Sequence, residues 1–153
     1  MTTRKVTHAT FTIERTYDAS PERVFRAFAD PDAKAKWFSG SGEWKQGKRV
    51  MDFRVGGKEH LSGGRPGHPP HVFDATYQDI VPNARIIYTY EMHIGDERIS
   101  VSLATIELKK VGKGTKMTFT EQGAFLVDFD KAEAREEGTK VLLEQMERSL
   151  QDS

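Results

Sequence analysis

Glu121 is the carboxylate in this sequence whose surroundings best suit chemistry, because it alternates with apolar residues along a predicted strand. Met117 and Phe119 share its parity, so the three side chains are expected on one face of a sheet. A carboxylate on an apolar face is desolvated and needs a partner such as Arg15. Arg15 continues the alternation of Phe11 and Ile13, so it is expected on the apolar face of another strand. The pattern fits a structural ion pair, which we favour, or an acid or base inside a pocket.

A second acid lies beside a histidine, where Glu91 and His93 share one face of a predicted strand. Such a pair could act as a general base. Tyr88 and Tyr90 alternate with it, however, and if the tyrosines face inward the pair must face solvent. We favour the solvent-facing arrangement.

The segment from Gly56 to His71 contains three of the five histidines, His60, His68 and His71. Three imidazoles could ligate zinc, but ligands need rigid positions and the many glycines here predict mobility. We therefore predict no metal site and no cofactor. The segment is interpreted as a flexible flap over a pocket mouth or as a solvated loop.

The elements that position these residues begin with a strand around Phe11 and Ile13. Ser20-Pro21 and Asp30-Pro31 each predict a helix start, because the first residue can accept from an early backbone N–H and proline suits the first helical position. The second of these two short helices is expected to end near Phe38.

Most of the chain between Arg49 and Gly123 is expected to form strands joined as antiparallel hairpins. Gly95-Asp96 fits a tight turn with a positive φ at its first residue. In the strand that begins at Arg98, the apolar parity changes after Leu103. That change predicts a bulge or a two-sided stretch.

One long amphipathic helix is predicted from Asp130, its expected cap, to Leu150. Because it follows the strands, it must cover a face of their sheet, which is an α+β arrangement. Gly138 in its middle costs about 1 kcal/mol relative to alanine, either by chance or because something approaches its backbone. Its predicted inner face comprises Ala134, Gly138, Val141, Leu142, Gln145, Met146 and Leu150.

Composition excludes several classes of function. The 153 residues suffice for one domain, residues 1–153, with a hydrophobic core. The 23 basic and 23 acidic residues leave no basic excess, which argues against nucleic-acid binding. There is no cysteine, so disulfides and thiolate chemistry are excluded. We expect neither a signal peptide nor a membrane span, and we expect a soluble, cytoplasmic protein.

Four segments together resemble one known family. They are similar to motifs of START-like (SRPBCC) proteins, in the branch named after the activator of the heat-shock-protein ATPase: Arg15 to Phe25, Asp30-Pro31 with Trp37-Phe38, Asp79 to Thr89, and Glu136-Glu137-Gly138. The resemblance implies a helix-grip fold, in which a curved antiparallel sheet wraps a long C-terminal helix around a pocket, with two short helices after the first strand. Thr139 departs from the tryptophan usual in the family, and segment 56–70 is unusually long.

The resemblance and the aromatic residues together predict that a small apolar or aromatic molecule binds between the last helix and the sheet. A dry void of about 300 Å³ would cost several kcal/mol, so the pocket should be small, wet or filled by a ligand. The predicted ligand-binding residues are Trp37, Phe53, Phe73, Tyr77, Tyr88, Tyr90, Phe119, Glu121, Gly138, Val141 and Leu142.

Two other functions remain open from the sequence. One is a cyclase- or dehydratase-type enzyme that uses Glu121, a tyrosine or a histidine as acid or base. The other is an interaction module for a chaperone ATPase, which we disfavour. A homodimer is left open.

Overall fold

The computed structural model describes residues 6–39, 43–128 and 132–151. In these ranges the chain forms eight strands and three helices: β1 Thr7–Tyr17, α1 Pro21–Ala29, α2 Pro31–Ala35, β2 Lys45–Gln46, β3 Val50–Met51, β4 Lys58–Gly64, β5 His71–Val81, β6 Arg85–Ile94, β7 Glu97–Val111, β8 Gly114–Phe125 and α3 Ala132–Gln151. The predicted helix cap Asp130 lies outside the described residues.

The strands form one antiparallel sheet in the order β1-β8-β7-β6-β5-β4-β2, and β3 also pairs with β4. The main hairpins follow the chain from β5 to β8, and β1 closes the order beside β8. α3 packs against β1 and α1. This is the α+β helix-grip fold that the sequence predicted. Within the described ranges, each helix is too short or too polar to serve as a transmembrane span.

Both predicted helix starts are confirmed. Ser20 Oγ accepts a hydrogen bond from Arg23 N at 3.3 Å, and Pro21 is the first residue of α1. Asp30 Oδ1 accepts from Asp32 N at 3.1 Å at the start of α2. The tight turn between β6 and β7 is also confirmed, with φ of 59° at Gly95. Local capping and turn chemistry therefore determine these boundaries.

The change of parity in β7 reflects a two-sided stretch. The register shift lies near the start of the strand, where Met92 pairs with Ser100 and His93 pairs with Arg98. From there the buried face carries small residues, and Val101 on the other face is 39% exposed. The buried residues in alternation are Ser100, Ser102, Ala104 and Ile106. The small side chains of Ser100, Ser102 and Ala104 leave space on the inner side of the sheet.

The prediction of a flexible flap was wrong for residues 58–64, which form β4 and pair with β5. Glu59 and Leu61 on this strand are buried, at 1% and 8% exposure. A Cβ atom at Gly57 would collide with the carbonyl oxygen of Asp52, so this glycine allows a close backbone approach. The glycines near β4 thus serve strand geometry as well as turns.

Candidate functional site

A cavity of about 510 Å³, partly open to solvent, lies between α3 and the inner face of the sheet. α1 and α2 contribute its remaining walls. It is lined by Phe28, Lys34, Trp37, Phe38, Trp44, His71, Phe73, Tyr88, Tyr90, Met92, Ile94, Ile99, Phe119, Glu121, Ala134, Arg135, Gly138, Thr139, Leu142 and Leu143. Most of these side chains are apolar or aromatic, as in pockets that bind small molecules.

Aromatic rings form a continuous wall of the cavity. Trp37 packs edge-on against Phe28 and Phe38, with centroids 5.1 and 5.6 Å apart. Phe38 continues to Phe73 at 5.0 Å, and Phe73 to Tyr90 at 5.0 Å. The Trp37 indole N–H donates to the carbonyl oxygen of Ala27 at 2.9 Å, which fixes its ring. The wall is therefore preorganised for flat, apolar contact.

A buried charge cluster joins α2 to β4 at one side of the cavity. Lys34 Nζ donates to Glu59 Oε1 at 2.7 Å, and Arg49 Nη1 donates to Glu59 Oε2 at 3.1 Å. The Tyr77 hydroxyl also donates to Glu59 Oε1, at 2.5 Å. The side chains of Lys34, Arg49 and Glu59 are 4%, 7% and 0% exposed. Two cations therefore share one carboxylate away from water.

Burial lowers the pKa of Lys34, and the Glu59 carboxylate offsets part of that effect. The ammonium also lies 4.8 Å from the Phe38 ring centroid, within cation–π range. Lys34 lines the cavity, whereas Glu59 lies behind it. On this side of the cavity, the charged group that lines the wall is therefore the Lys34 ammonium.

A second polar cluster lies where α3 faces β6, β7 and β8. The Tyr90 hydroxyl donates to Glu121 Oε2 at 2.9 Å and accepts from Arg135 Nη1 at 2.7 Å. Arg135 Nη2 donates to Ser100 Oγ at 2.9 Å, and Nη1 lies 3.5 Å from Glu121 Oε2. Burial, followed by the Glu121 charge, raises the pKa of Tyr90. Within the described residues, the Tyr90 hydroxyl bridges the Arg135 cation and the Glu121 carboxylate.

The predicted partner of Glu121 was wrong. Glu121 faces inward as expected and is 2% exposed, but its cation is Arg135 on α3. Arg15 instead donates to the carbonyl oxygen of Glu14. Glu91 lies on the other face of the sheet and pairs with Arg98 at 2.7 Å, so this residue faces solvent as we favoured. His93 is only partly exposed and its Nδ1 atom is buried, so the solvent-facing prediction does not hold fully for this residue. A paired Glu121 fits the structural role better than that of a free base.

The structure brings eight of the predicted ligand-binding residues to the cavity. They are Trp37, Phe73, Tyr88, Tyr90, Phe119, Glu121, Gly138 and Leu142. Their contact with a ligand stays a prediction.

Three predicted residues lie elsewhere. Phe53 packs between Phe25 and Tyr77, with centroids 5.7 and 4.8 Å away, and Tyr77 is bound to Glu59 behind the wall. Val141 is 52% exposed, whereas Leu143 is 1% exposed and lines the cavity. Those two residues are separated by about 200° around the helix, so Val141 was wrongly placed on the inner face of α3. Of the other predicted members, Ala134, Gly138 and Leu142 line the cavity, and Met146 and Leu150 are buried.

Lys34 and Arg135 are cavity residues that the sequence interpretation missed. Each had a detectable signal, because Lys34 precedes Trp37 by three positions and Arg135 precedes Gly138 by three. Residues three apart on a helix share a face. An apolar pattern does not reveal either residue as part of a pocket, because both side chains are charged.

Gly138 and Thr139 keep the helix side of the cavity open. Apart from the chain neighbours and the adjacent backbone of α3, no described atom lies within 4 Å of a Cβ atom built at Gly138. Thr139, where the resemblance implies tryptophan, lines the cavity and donates to the carbonyl oxygen of Arg135 at 2.8 Å. Among the described residues, no other element packs closely enough against Gly138 to require a glycine. The missing side chain therefore leaves free space in the cavity.

His60 and His71 of segment 56–71 make separate contacts. His60 pairs with Asp74 at 2.5 Å on the exposed face, and His71 packs against Trp44 with centroids 4.9 Å apart. Across the described residues, no three histidine or acidic side chains come together in a way that could hold a metal ion.

Comparisons with known proteins agree with this architecture. A structure from Rhizobium leguminosarum is similar over 99% of this chain and 100% of its own, with 45% identity and a TM-score of 0.94. The Mll3558 protein from Rhizobium loti shares 48% identity over 95% of this chain and 99% of its own, with a TM-score of 0.87. Protein CV1439 from Chromobacterium violaceum shares 28% identity over 92% and 96%, with a TM-score of 0.79.

No curated protein matches the chain. The family model described as "Activator of Hsp90 ATPase homolog 1-like protein" matches residues 18–151. That range runs from the end of β1 through the last residue of α3, so it includes both short helices and the whole cavity wall. The chain belongs to the family of activator of Hsp90 ATPase homolog 1-like proteins, within the START-like fold.

Proposed function

We propose that this protein binds a small apolar or aromatic molecule in the cavity between α3 and the sheet. The observation that carries the proposal is the cavity itself, about 510 Å³ with a wall of edge-to-face aromatic rings. Its volume is in the range of pockets that hold small ligands, and a few polar groups interrupt an apolar lining.

The energetic cost of the cavity supports occupancy. At about 24 cal/mol per Å³, an empty apolar void of about 510 Å³ would cost about 12 kcal/mol. That cost is comparable with the whole free energy of unfolding of a typical domain, about 5–15 kcal/mol. Access to solvent lets water offset the cost, and an apolar ligand that displaces this water gains hydrophobic free energy.

Binding is favoured over catalysis by the state of Glu121. A general base needs a carboxylate free to accept a proton from substrate. Glu121 already accepts from Tyr90 and faces Arg135 at 3.5 Å. Its geometry suits a rigid wall.

A neutral fluorescent probe, N-phenyl-1-naphthylamine, tests the proposal by titration. We expect saturable binding to the wild-type protein and affinity at least about tenfold weaker in Gly138→Phe, because the new ring fills open cavity space. Val141→Phe is the matched control, since it adds a ring to the same helix at a 52% exposed position. Equal affinity in Gly138→Phe, with its circular dichroism unchanged, would overturn the cavity as the site.

A further inference from the structure

We propose that the molecule bound in the cavity carries one negative charge: a small aromatic or otherwise apolar carboxylate whose carboxylate group contacts Lys34. This inference rests on the binding function proposed above and names the class of ligand.

The charged cluster on one side of the cavity contains more cations than carboxylates. Lys34 and Arg49 both pair with Glu59, and all three side chains are at most 7% exposed. Among the described residues, one positive charge in this cluster is therefore left without a countercharge. An uncompensated buried charge is strongly unfavourable, and the Phe38 ring at 4.8 Å offsets only part of the cost.

The Lys34 ammonium also has hydrogen-bond donors that a ligand could use. An ammonium group has three donors. In the described part of the chain, Lys34 Nζ makes one hydrogen bond, to Glu59 Oε1. The Glu59 oxygens already accept from Tyr77 and Arg49 as well, so Glu59 has little capacity left for further donors. Because Lys34 lines the cavity, its remaining donors are available to a ligand oxygen.

The two polar clusters of the cavity differ in how well each would accommodate the ligand's carboxylate. At the other polar cluster, Arg135 faces Glu121 at 3.5 Å and donates to Tyr90 and Ser100. Among the described residues, the Arg135 cation already faces the Glu121 carboxylate there, so an anion gains less at that cluster. Among the described residues of the cavity wall, Lys34 therefore offers the better compensation for an added negative charge.

The charge of Lys34 and the aromatic rings around it favour a particular class of anion. One surplus positive charge is matched by a monoanion, whereas a dianionic phosphate would bring an additional charge that must be desolvated. The neighbouring walls are the rings of Phe38, Phe73 and Tyr88, with centroids within 5.8 Å of Lys34 Nζ. An aromatic carboxylate satisfies the ammonium and these rings together.

The experiment compares 1-naphthoate with 1-naphthamide, which have the same rings and nearly the same size but differ in charge. Each is titrated as a competitor of N-phenyl-1-naphthylamine. We expect wild-type protein to prefer the carboxylate by about tenfold or more. The preference should persist at high salt, because salt screens a buried ion pair only weakly. Binding to surface lysines, in contrast, would be weakened by salt.

Two lysine variants localise the effect. Lys34→Met removes the surplus charge and leaves Glu59 paired with Arg49, so the preference for the carboxylate should disappear. Lys36→Met is the matched control, because it removes the same charge from an exposed position on the same turn of chain and should keep the preference. Lys34→Gln replaces Lys34→Met if circular dichroism shows that the methionine variant is unfolded.

Each outcome decides between the two proposals. If the neutral probe binds and wild-type protein does not prefer the carboxylate, or Lys34→Met retains that preference, the charge inference is overturned and the cavity proposal stands. If the neutral probe, the carboxylate and the amide all fail to bind, the cavity proposal itself is overturned. Carboxylate preference that disappears in Lys34→Met alone supports both.

Discussion

Lys34 on α2 and Glu59 on β4 form an ion pair 2.7 Å long whose side chains are 4% and 0% exposed. The pair connects the short helices to the edge region of the sheet, and Arg49 adds a second cation to the same carboxylate. The two partners are therefore not equivalent: removing the lysine leaves a balanced pair, whereas removing the carboxylate leaves two buried cations together.

That asymmetry predicts different costs for the two substitutions. Glu59→Gln should lower the free energy of unfolding by about 3–5 kcal/mol, because it leaves buried charges without compensation. Lys34→Met should stay within about 1 kcal/mol of the wild-type protein, since Glu59 keeps Arg49 and Tyr77. Urea unfolding followed by circular dichroism measures both.

The control for this comparison is Asp52→Asn, which breaks an exposed ion pair with Arg54 whose side chains are 53% and 69% exposed. Its expected effect is below about 1 kcal/mol. Equal costs for Glu59→Gln and Lys34→Met would show that the surplus charge does not govern this cluster.

All four tyrosines should resist ionisation in the folded protein. Burial raises the pKa of Tyr17, Tyr77, Tyr88 and Tyr90 above the ordinary value of 10.0. Above pH 10 the unfolded chain loses tyrosine protons that the folded chain keeps, so the free energy of unfolding falls as pH rises. The stabilisation is fully present below pH 10.

An alkaline titration checks this expectation by following tyrosinate absorbance and far-ultraviolet circular dichroism together. The two signals should change in one transition, because the tyrosines ionise when the protein unfolds. Tyrosinate appearing near pH 10 while circular dichroism stays constant would contradict the expected burial.

Gly138→Ala should stabilise the protein. Apart from its chain neighbours and the adjacent backbone of α3, no described atom lies within 4 Å of the new methyl carbon, and alanine is favoured over glycine inside a helix by about 0.8–1 kcal/mol. Thermal unfolding should show a melting temperature about 2–4 °C higher. Gly57→Ala is the contrasting variant, because its Cβ atom would collide with Asp52 and lower stability. Destabilisation by Gly138→Ala would mean that this part of the cavity is filled by protein.

The sequence predicted those parts of the fold that local chemistry determines. Ser20, Asp30 and Gly95 mark two helix starts and a hairpin turn, and all three positions are confirmed. The general order of strands followed by a covering helix is confirmed as well. These features depend on a few neighbouring residues, which is why a single sequence reveals them.

The missed parts depend on contacts between distant segments. β4 was hidden by its glycines, and Glu59 shows its role only when Lys34 and Arg49 are brought to it. The inner face of β7 carries Ser100 and Ser102, which do not resemble core residues in an apolar pattern. Burial of small and charged groups is decided by tertiary partners, so periodicity alone cannot predict it.

The most direct test of the cavity proposal follows the methionine methyl groups by NMR while N-phenyl-1-naphthylamine is added. Met92 lines the cavity, whereas Met117 and Met146 are buried in the core outside it, each at 0% exposure. We expect the ε-methyl signal of Met92 to shift and saturate with the probe while those of Met117 and Met146 stay nearly unchanged. A saturating fluorescence titration with the Met92 signal unmoved would show that the probe binds elsewhere and contradict the proposal.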